Sequence, residues 1–86
     1  MHKIFLHPLA NKFLQSLDKS LQEMIKKKIR QLEEFPESGK HLKYSKFWSL
    51  RIGDYRAIYE MSEKDNIIVL FIGHRKEVYD DFSKLF

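Results

Sequence analysis

The stretch that most constrains the fold of this chain is Phe47 to Met61, FWSLRIGDYRAIYEM. Apolar and polar residues alternate on both sides of a Gly53-Asp54 pair, the pattern of two strands joined by a two-residue turn. Such a turn sets the pairing by counting outward. Ile52 faces Tyr55, Arg51 faces Arg56, Leu50 faces Ala57, Ser49 faces Ile58 and Trp48 faces Tyr59. Side chains alternate across a strand, so Trp48, Leu50, Ile52, Tyr55, Ala57, Tyr59 and Met61 share one face, which is a core face. Phe47, Ser49, Arg51, Arg56, Ile58 and Glu60 share the other. That second face sets two arginines directly opposite each other, where like charges oppose pairing.

The rest of the chain supplies elements to pack on this ribbon. Residues 2–7 (HKIFLH) alternate weakly and predict a short first strand. Pro8 suits the first turn of a helix, where its missing N–H costs nothing. Leu9, Ala10, Phe13, Leu14 and Leu17 then recur at helical spacing as one apolar stripe. Asp18 and Ser20 break that pattern and can cap a second helix. Its buried stripe is Leu21, Met24, Ile25, Ile29, Leu32 and Phe35, and Phe35-Pro36 ends it. Lys26, Lys27, Lys28 and Arg30 face outward. Glu23 can pair with Lys27 and Arg30 with Glu34 at i,i+4, which makes this cluster a solvated face.

Residues 40–46 (KHLKYSK) read as a basic linker into the hairpin, and residues 62–66 as a polar turn. Ile67 to Ile72 is continuously apolar and predicts a strand buried on both faces. Gly73 to Glu77 follows it, and Val78 to Phe86 can form a last helix. The expected fold is a single α+β domain over residues 1–86, ordered β-α-α-β-β-β. The sheet is mostly antiparallel, with a helical hairpin on one face and a short C-terminal helix.

Composition narrows the function classes. Hydrophobic residues make up 43% and aromatics 14%, enough for a core in one small domain of 86 residues. With no cysteine there is neither a disulfide framework nor a thiolate nucleophile or metal ligand, as suits a reducing cytosol. The apolar run from Ile67 is too short to cross a bilayer, and the amino terminus has no signal-peptide pattern. A cytoplasmic protein with no membrane partner is the expectation. Three scattered glycines form no phosphate-binding loop, and His2, His7, His41 and His74 lack metal-ligand spacing, so neither cofactor nor metal is expected.

The net charge is +4, and residues 39–56 alone carry that excess through Lys40, Lys43, Lys46, Arg51 and Arg56 against Asp54. A patch of this kind suits an anionic partner, nucleic acid first, or else is a solvated basic surface. Arg75, just past the buried strand, can join Arg51 and Arg56. Three converging guanidiniums repel unless an anion sits among them, and their forked donors match a phosphate. The alternative is an ordinary salt bridge from Arg51 or Arg56 to Glu60, Asp54 or Glu77. Tyr79 can stack on a nucleobase, move a proton, or simply anchor the last helix.

The two-helix front half, LRIGDYRAIY at 50–59 and IGHRKEVY at 72–79 together resemble the RelE/ParE superfamily of toxin-antitoxin toxins, and within it the RelE branch. The resemblance covers nearly the whole chain. It implies a ribosome-dependent mRNA endoribonuclease toxin of a type II system, which inhibits translation by cutting mRNA in the ribosomal A site. The RNA 2′-hydroxyl attacks the adjacent phosphate, leaving a 2′,3′-cyclic phosphate and a free 5′-hydroxyl. By position, Arg51 matches a basic residue of the hairpin's first strand and Arg56 the arginine that contacts the scissile phosphate. Arg75 matches the arginine that stabilises the transition state or leaving group, and Tyr79 the tyrosine that stacks on the base. These four are the expected catalytic residues, with Lys43, Lys46, Arg51 and Arg56 as the RNA-binding set. Ser49 departs from the pattern, standing where relatives often carry a lysine or arginine that can accept a proton. Lys46, Lys43, His74 or Tyr79 can take that role, Lys46 first among them. The implied partners are a RelB-like antitoxin, the ribosome and mRNA. The alternative within the superfamily is a ParE-like inhibitor of DNA gyrase without nuclease activity.

Overall fold

The structure, a computed structural model, describes residues 2–85, so Met1 and Phe86, the ends of the expected domain and last helix, lie outside the described residues. A five-stranded sheet in the order β1-β5-β4-β3-β2 forms its middle layer. Strand β1 (Lys3–Leu6) leads into α1 (Pro8–Gln15) and α2 (Lys19–Arg30), followed by a 3₁₀ turn at Gln31–Glu33. Strands β2 (Lys40–His41), β3 (Phe47–Ile52), β4 (Tyr55–Met61) and β5 (Asn66–His74) come next, and α3 (Val78–Leu85) is the last described element. Only β1 pairs in parallel, with β5; the other neighbours are antiparallel. The expected α+β architecture is the one observed.

Local chemistry explains the boundaries. Pro8 opens α1 behind His7, whose Nδ1 accepts from the Leu9 amide at 3.1 Å. Asp18 caps α2 by accepting the Leu21 amide at 2.9 Å. The hairpin has the expected register, Ile52 to Tyr55 through Phe47 to Glu60. Gly53 holds φ at +60° in the first turn position, the place that a type II′ turn reserves for glycine.

The main core lies between the sheet and α1 and α2, where Ala10, Leu14, Ile25, Ile29 and Leu32 meet Leu50, Ile52, Ala57, Tyr59, Ile67, Val69 and Ile72. Burying a side chain such as Ile25 contributes about 1.5–3 kcal/mol relative to leaving it in water. The α2 stripe is narrower than its sequence suggests. The helix tightens into the 3₁₀ turn after Arg30, and Met24 and Phe35 are left 44% and 64% exposed.

The opposite sheet face carries a second cluster, in which Val78 and Phe82 of α3 cover Ile58 and Leu70, with Phe47, Ile68 and Phe71 at its margin. The apolar run of β5 therefore is buried on both faces. It departs from strict alternation because Ile58 pairs with Phe71 while Tyr59 pairs with Val69, leaving Leu70 as a bulged extra residue. Leu70 and Phe71 consequently both serve the α3 side.

Strand limits differ from the sequence expectation: β1 is shorter than residues 2–7, and β5 starts at Asn66, which the sequence pattern assigns to the turn. The supposed linker contributes β2, where Lys40 pairs with Ser49 and His41 with Trp48. Main-chain pairing at a sheet edge needs no apolar pattern, so lysine-rich residues conceal it. Strand β5 also runs on through Gly73 and His74, because Arg56 and Tyr55 supply their partners.

Candidate functional site

Arg51, Arg56 and Gly73 occupy one row across β3, β4 and β5. The two-residue turn makes Ile52–Tyr55 the hydrogen-bonded closing pair, so Arg51–Arg56 is the next, non-hydrogen-bonded pair, whose Cα atoms approach to about 4.5 Å. This is the tighter of the two antiparallel spacings. Gly73 adds no side chain to the row, and a Cβ there would already touch Phe71 and Val78 at 3.4 Å. The place that a side chain at 73 would take is filled by Phe71 and Val78.

Neither arginine takes the carboxylate partner that an ordinary surface bridge would supply. Among the described residues the ion pairs are Lys46–Glu60 at 3.2 Å and Arg75–Asp54 at 3.8 Å. Arg51 instead donates from Nε to the Gly53 carbonyl at 3.3 Å, and Arg56 from Nη1 to Ser49 Oγ at 3.1 Å. Both interactions orient a guanidinium without neutralising it.

Arg75 reaches this end of the sheet by a backbone tie: its amide donates to the Asp54 carbonyl at 2.9 Å. The segment after β5 is thus pinned to the hairpin turn. The Arg75–Asp54 side-chain contact is long, and both groups are substantially exposed, so it adds little to stability.

Ser49 is the joint of the site. Its side chain is 1% exposed, and its Oγ accepts both from Arg56 and from the Tyr79 hydroxyl, the latter also at 3.1 Å. Tyr79, on the first turn of α3, is 41% exposed, so its ring can still meet a ligand while its hydroxyl is held. A short side chain at 49 lets α3 approach β3 closely enough for this bond. Sequence reading singled out Ser49 as a departure from a pattern and did not find its bridging position. That position depends on α3 crossing the arginine face, which no local pattern encodes.

The remaining expected residues are dispersed. Lys46 precedes β3, at the far end of that strand from Arg51, with its ammonium on Glu60 and 5.7 Å from the Phe47 ring centroid. Lys43 lies in the exposed loop between β2 and β3. His74 is exposed and pairs in register with Tyr55 on the α1–α2 side of the sheet, and their rings are 4.8 Å apart. The lysine cluster of α2 is closer to the site than its solvated-face reading suggests. Lys27 and Lys28 line a surface groove with Arg51, Met24, Gln31, Ile52 and Gly53. The expected Glu23–Lys27 and Arg30–Glu34 ion pairs do not form.

Residues 4–79 match the family described as ParE toxin of type II toxin-antitoxin system, parDE. The chain belongs to that family. Its structural likeness is to the RelE branch of the RelE/ParE superfamily. A chain of the archaeal RelE-RelB complex from Pyrococcus horikoshii superposes with a TM-score of 0.72 at 29% identity, covering 86% of this chain and 94% of that one. The isolated E. coli RelE toxin gives 0.74 at 23% identity, covering 99% and 98%. A chain of the RelBE2 toxin-antitoxin complex of Mycobacterium tuberculosis gives 0.75 at 20% identity, covering 86% and 98%. A comparison with curated proteins finds none that matches. Among the described residues, no helix is long and apolar enough to cross a membrane.

Proposed function

We propose that this toxin is a ribosome-dependent mRNA endoribonuclease. The observation that carries the reading is the row of Arg51 and Arg56 without a carboxylate partner, joined by Arg75 at the hairpin turn. A scissile phosphate supplies the negative charge that this arrangement lacks. In the reaction the RNA 2′-oxygen bonds to phosphorus, the bond from phosphorus to the 5′-oxygen breaks, and a proton passes from the 2′-hydroxyl to an acceptor. The 5′-oxygen takes up a proton as it leaves, and the retained product is the 2′,3′-cyclic phosphate.

Arg56 donates to the non-bridging phosphate oxygens, whose charge grows in the transition state, and Arg51 flanks it. Arg75 stabilises the charge of the leaving oxygen. Tyr79 stacks on the neighbouring base. Of the four candidate proton acceptors, Tyr79 alone has its functional group tied to the Arg56 side, through Ser49. Lys46 is engaged by Glu60, His74 lies on the α1–α2 side, and Tyr79, whose hydroxyl already donates to Ser49, accepts the 2′-proton only by passing its own on, so no one residue is assigned as the base. Phosphate charge stabilisation is the main contribution, with the ribosome orienting the substrate.

Arg56→Ala and Arg75→Ala should each slow cleavage of translated mRNA by roughly 10²-fold or more, the usual effect of losing one transition-state donor. Mapping mRNA ends on stalled ribosomes measures this, and cleavage undiminished in both variants would remove the site. The solved complexes of similar toxins contain the antitoxin RelB, and a RelB-like antitoxin is the proposed cellular partner, in the cytoplasm. A second reading is favoured by the family description itself, which names ParE: inhibition of DNA gyrase without nuclease activity. Loss of supercoiling with translation intact would select it.

A further inference from the structure

The loop between β2 and β3 holds the most exposed large hydrophobic side chain of the described residues, Tyr44, which is fully exposed. Its backbone lies in the left-handed region, with φ at +60°, where a bulky residue is strained and glycine or asparagine is at ease. Among the described residues, the side chain has no hydrogen bond or ring partner. The loop beneath it is nevertheless firmly tied. Leu42 donates its amide to the Phe47 carbonyl at 2.9 Å, Ser45 Oγ donates to the Leu42 carbonyl at 2.8 Å, and Phe47 donates its amide to Ser45 Oγ at 3.1 Å. His41 Nε2 lies 2.6 Å from the Ser45 carbonyl. A rigid stem thus presents one tyrosine ring to solvent. Lys43 stands beside it without an ion pair among the described residues, and residues 40–46 contain no carboxylate.

We infer that Tyr44 is a base-stacking finger, with Lys43 taking the adjacent phosphate, at an RNA-docking site separate from the arginine row. The left-handed turn closes the loop whatever residue stands there, so a bulky aromatic held at it with its ring unused by the fold marks a position kept for a ligand. A flat aromatic with a neighbouring free cation is the chemistry that holds an unpaired nucleotide. A protein partner would instead favour an apolar surround, and the neighbours of Tyr44 are Lys43 and Ser45. The loop sits at the opposite end of β3 from Arg51, roughly 15–20 Å along the sheet at 3.3 Å per residue. The base it takes therefore belongs to a different nucleotide from the one being cut. The choice of RNA rests on the endoribonuclease reading, but the stacking contact is measurable without any cleavage.

The test compares wild type with Tyr44→Phe, Tyr44→Leu, Tyr44→Ala and Tyr44→Gly. Binding is measured to purified ribosomes and to a mixed-sequence single-stranded oligoribonucleotide, with mRNA cleavage followed at varied ribosome concentration. Tyr44→Phe should bind as wild type, because stacking uses the ring alone. Tyr44→Leu and Tyr44→Ala should bind about 5- to 100-fold more weakly, the range expected for one lost stacking contact. Their KM should rise by the same factor with kcat unchanged. Tyr44→Gly should weaken binding equally while holding or raising the melting temperature, which separates the contact from a structural role. Equal affinity of wild type and Tyr44→Ala for both probes overturns the inference, as does Tyr44→Leu binding like Tyr44→Phe, the mark of a merely apolar contact. Tyr44-dependent binding by a chain that cuts no mRNA would sink the cleavage reading and leave the docking site standing. Cleavage by wild type with unaltered binding of Tyr44→Ala would do the reverse.

Discussion

Replacing Ser49 by alanine tests whether the site is a set of independent cations or a connected unit. The substitution removes an acceptor used by Arg56 and by Tyr79, each at 3.1 Å. A neutral hydrogen bond contributes about 0.5–1.5 kcal/mol and one to a charged donor about 1.5–3 kcal/mol. Neither donor is stranded afterwards, because Arg56 is half-buried and Tyr79 is exposed, so water replaces much of what is lost. A stability loss of about 1–2 kcal/mol follows, or roughly 4–15 °C in melting temperature for a chain of this size. Tyr79→Phe alone breaks one of the two bonds. In the double variant Ser49→Ala, Tyr79→Phe, that shared bond is counted once, giving a coupling of about 0.5–1.5 kcal/mol. Urea unfolding measures the cycle for stability, and mRNA cleavage measures it for activity. Strict additivity in both readouts would mean that Ser49 does not join Arg56 to α3, and the connected-site argument would fail.

Two further perturbations probe the ground beneath that site. Gly39→Ala places a Cβ 2.8 Å from both the Ser49 carbonyl oxygen and the Tyr59 hydroxyl, so β2 must shift; a loss of about 1–3 kcal/mol should appear in thermal melts. The Tyr59 phenol is raised above its ordinary value of 10.0, chiefly by burial, with the Glu37 charge also raising it against the opposing Gly39 hydrogen bond. The folded state thus holds that proton more tightly than the unfolded chain does. This contribution is complete below about pH 10 and is lost as pH rises from there through the folded value. Wild type should therefore lose stability faster than Tyr59→Phe above that pH in urea titrations, and parallel profiles would contradict the assignment.

The hairpin was legible because its signal is local. A Gly-Asp turn between alternating strands leaves only one register that buries Trp48, Leu50 and Tyr59 together, and the observed pairing is that register. The helix starts were equally plain at Pro8 and Asp18, where the chemistry of one residue decides. What escaped the sequence depends on partners remote along the chain. The β2 residues Lys40 and His41 become a strand only because β3 offers an edge. Met24 and Phe35 fit a helical stripe, yet the sheet and the 3₁₀ turn leave them outside the core. The bulge at Leu70 is invisible in a run of uniformly apolar residues, since any register of that run looks equally good.

The same distinction governs the site. The opposition of Arg51 and Arg56 follows from the turn, and the position of Arg75 follows from the length of β5. Whether those charges are already neutralised does not follow from either, because Glu60, Asp54 and Glu77 are all near enough in sequence to serve. The folded chain assigns Glu60 to Lys46 and Asp54 to Arg75, leaving the central pair uncompensated. Opposed guanidiniums lower the stability of the hairpin in the free chain, and that cost is recovered only when an anion arrives. Stability should therefore rise with phosphate binding, by RT ln(1 + [L]/Kd), more in wild type than in a chain lacking Arg56. The arrangement thus couples ligand affinity to fold stability through the same two side chains.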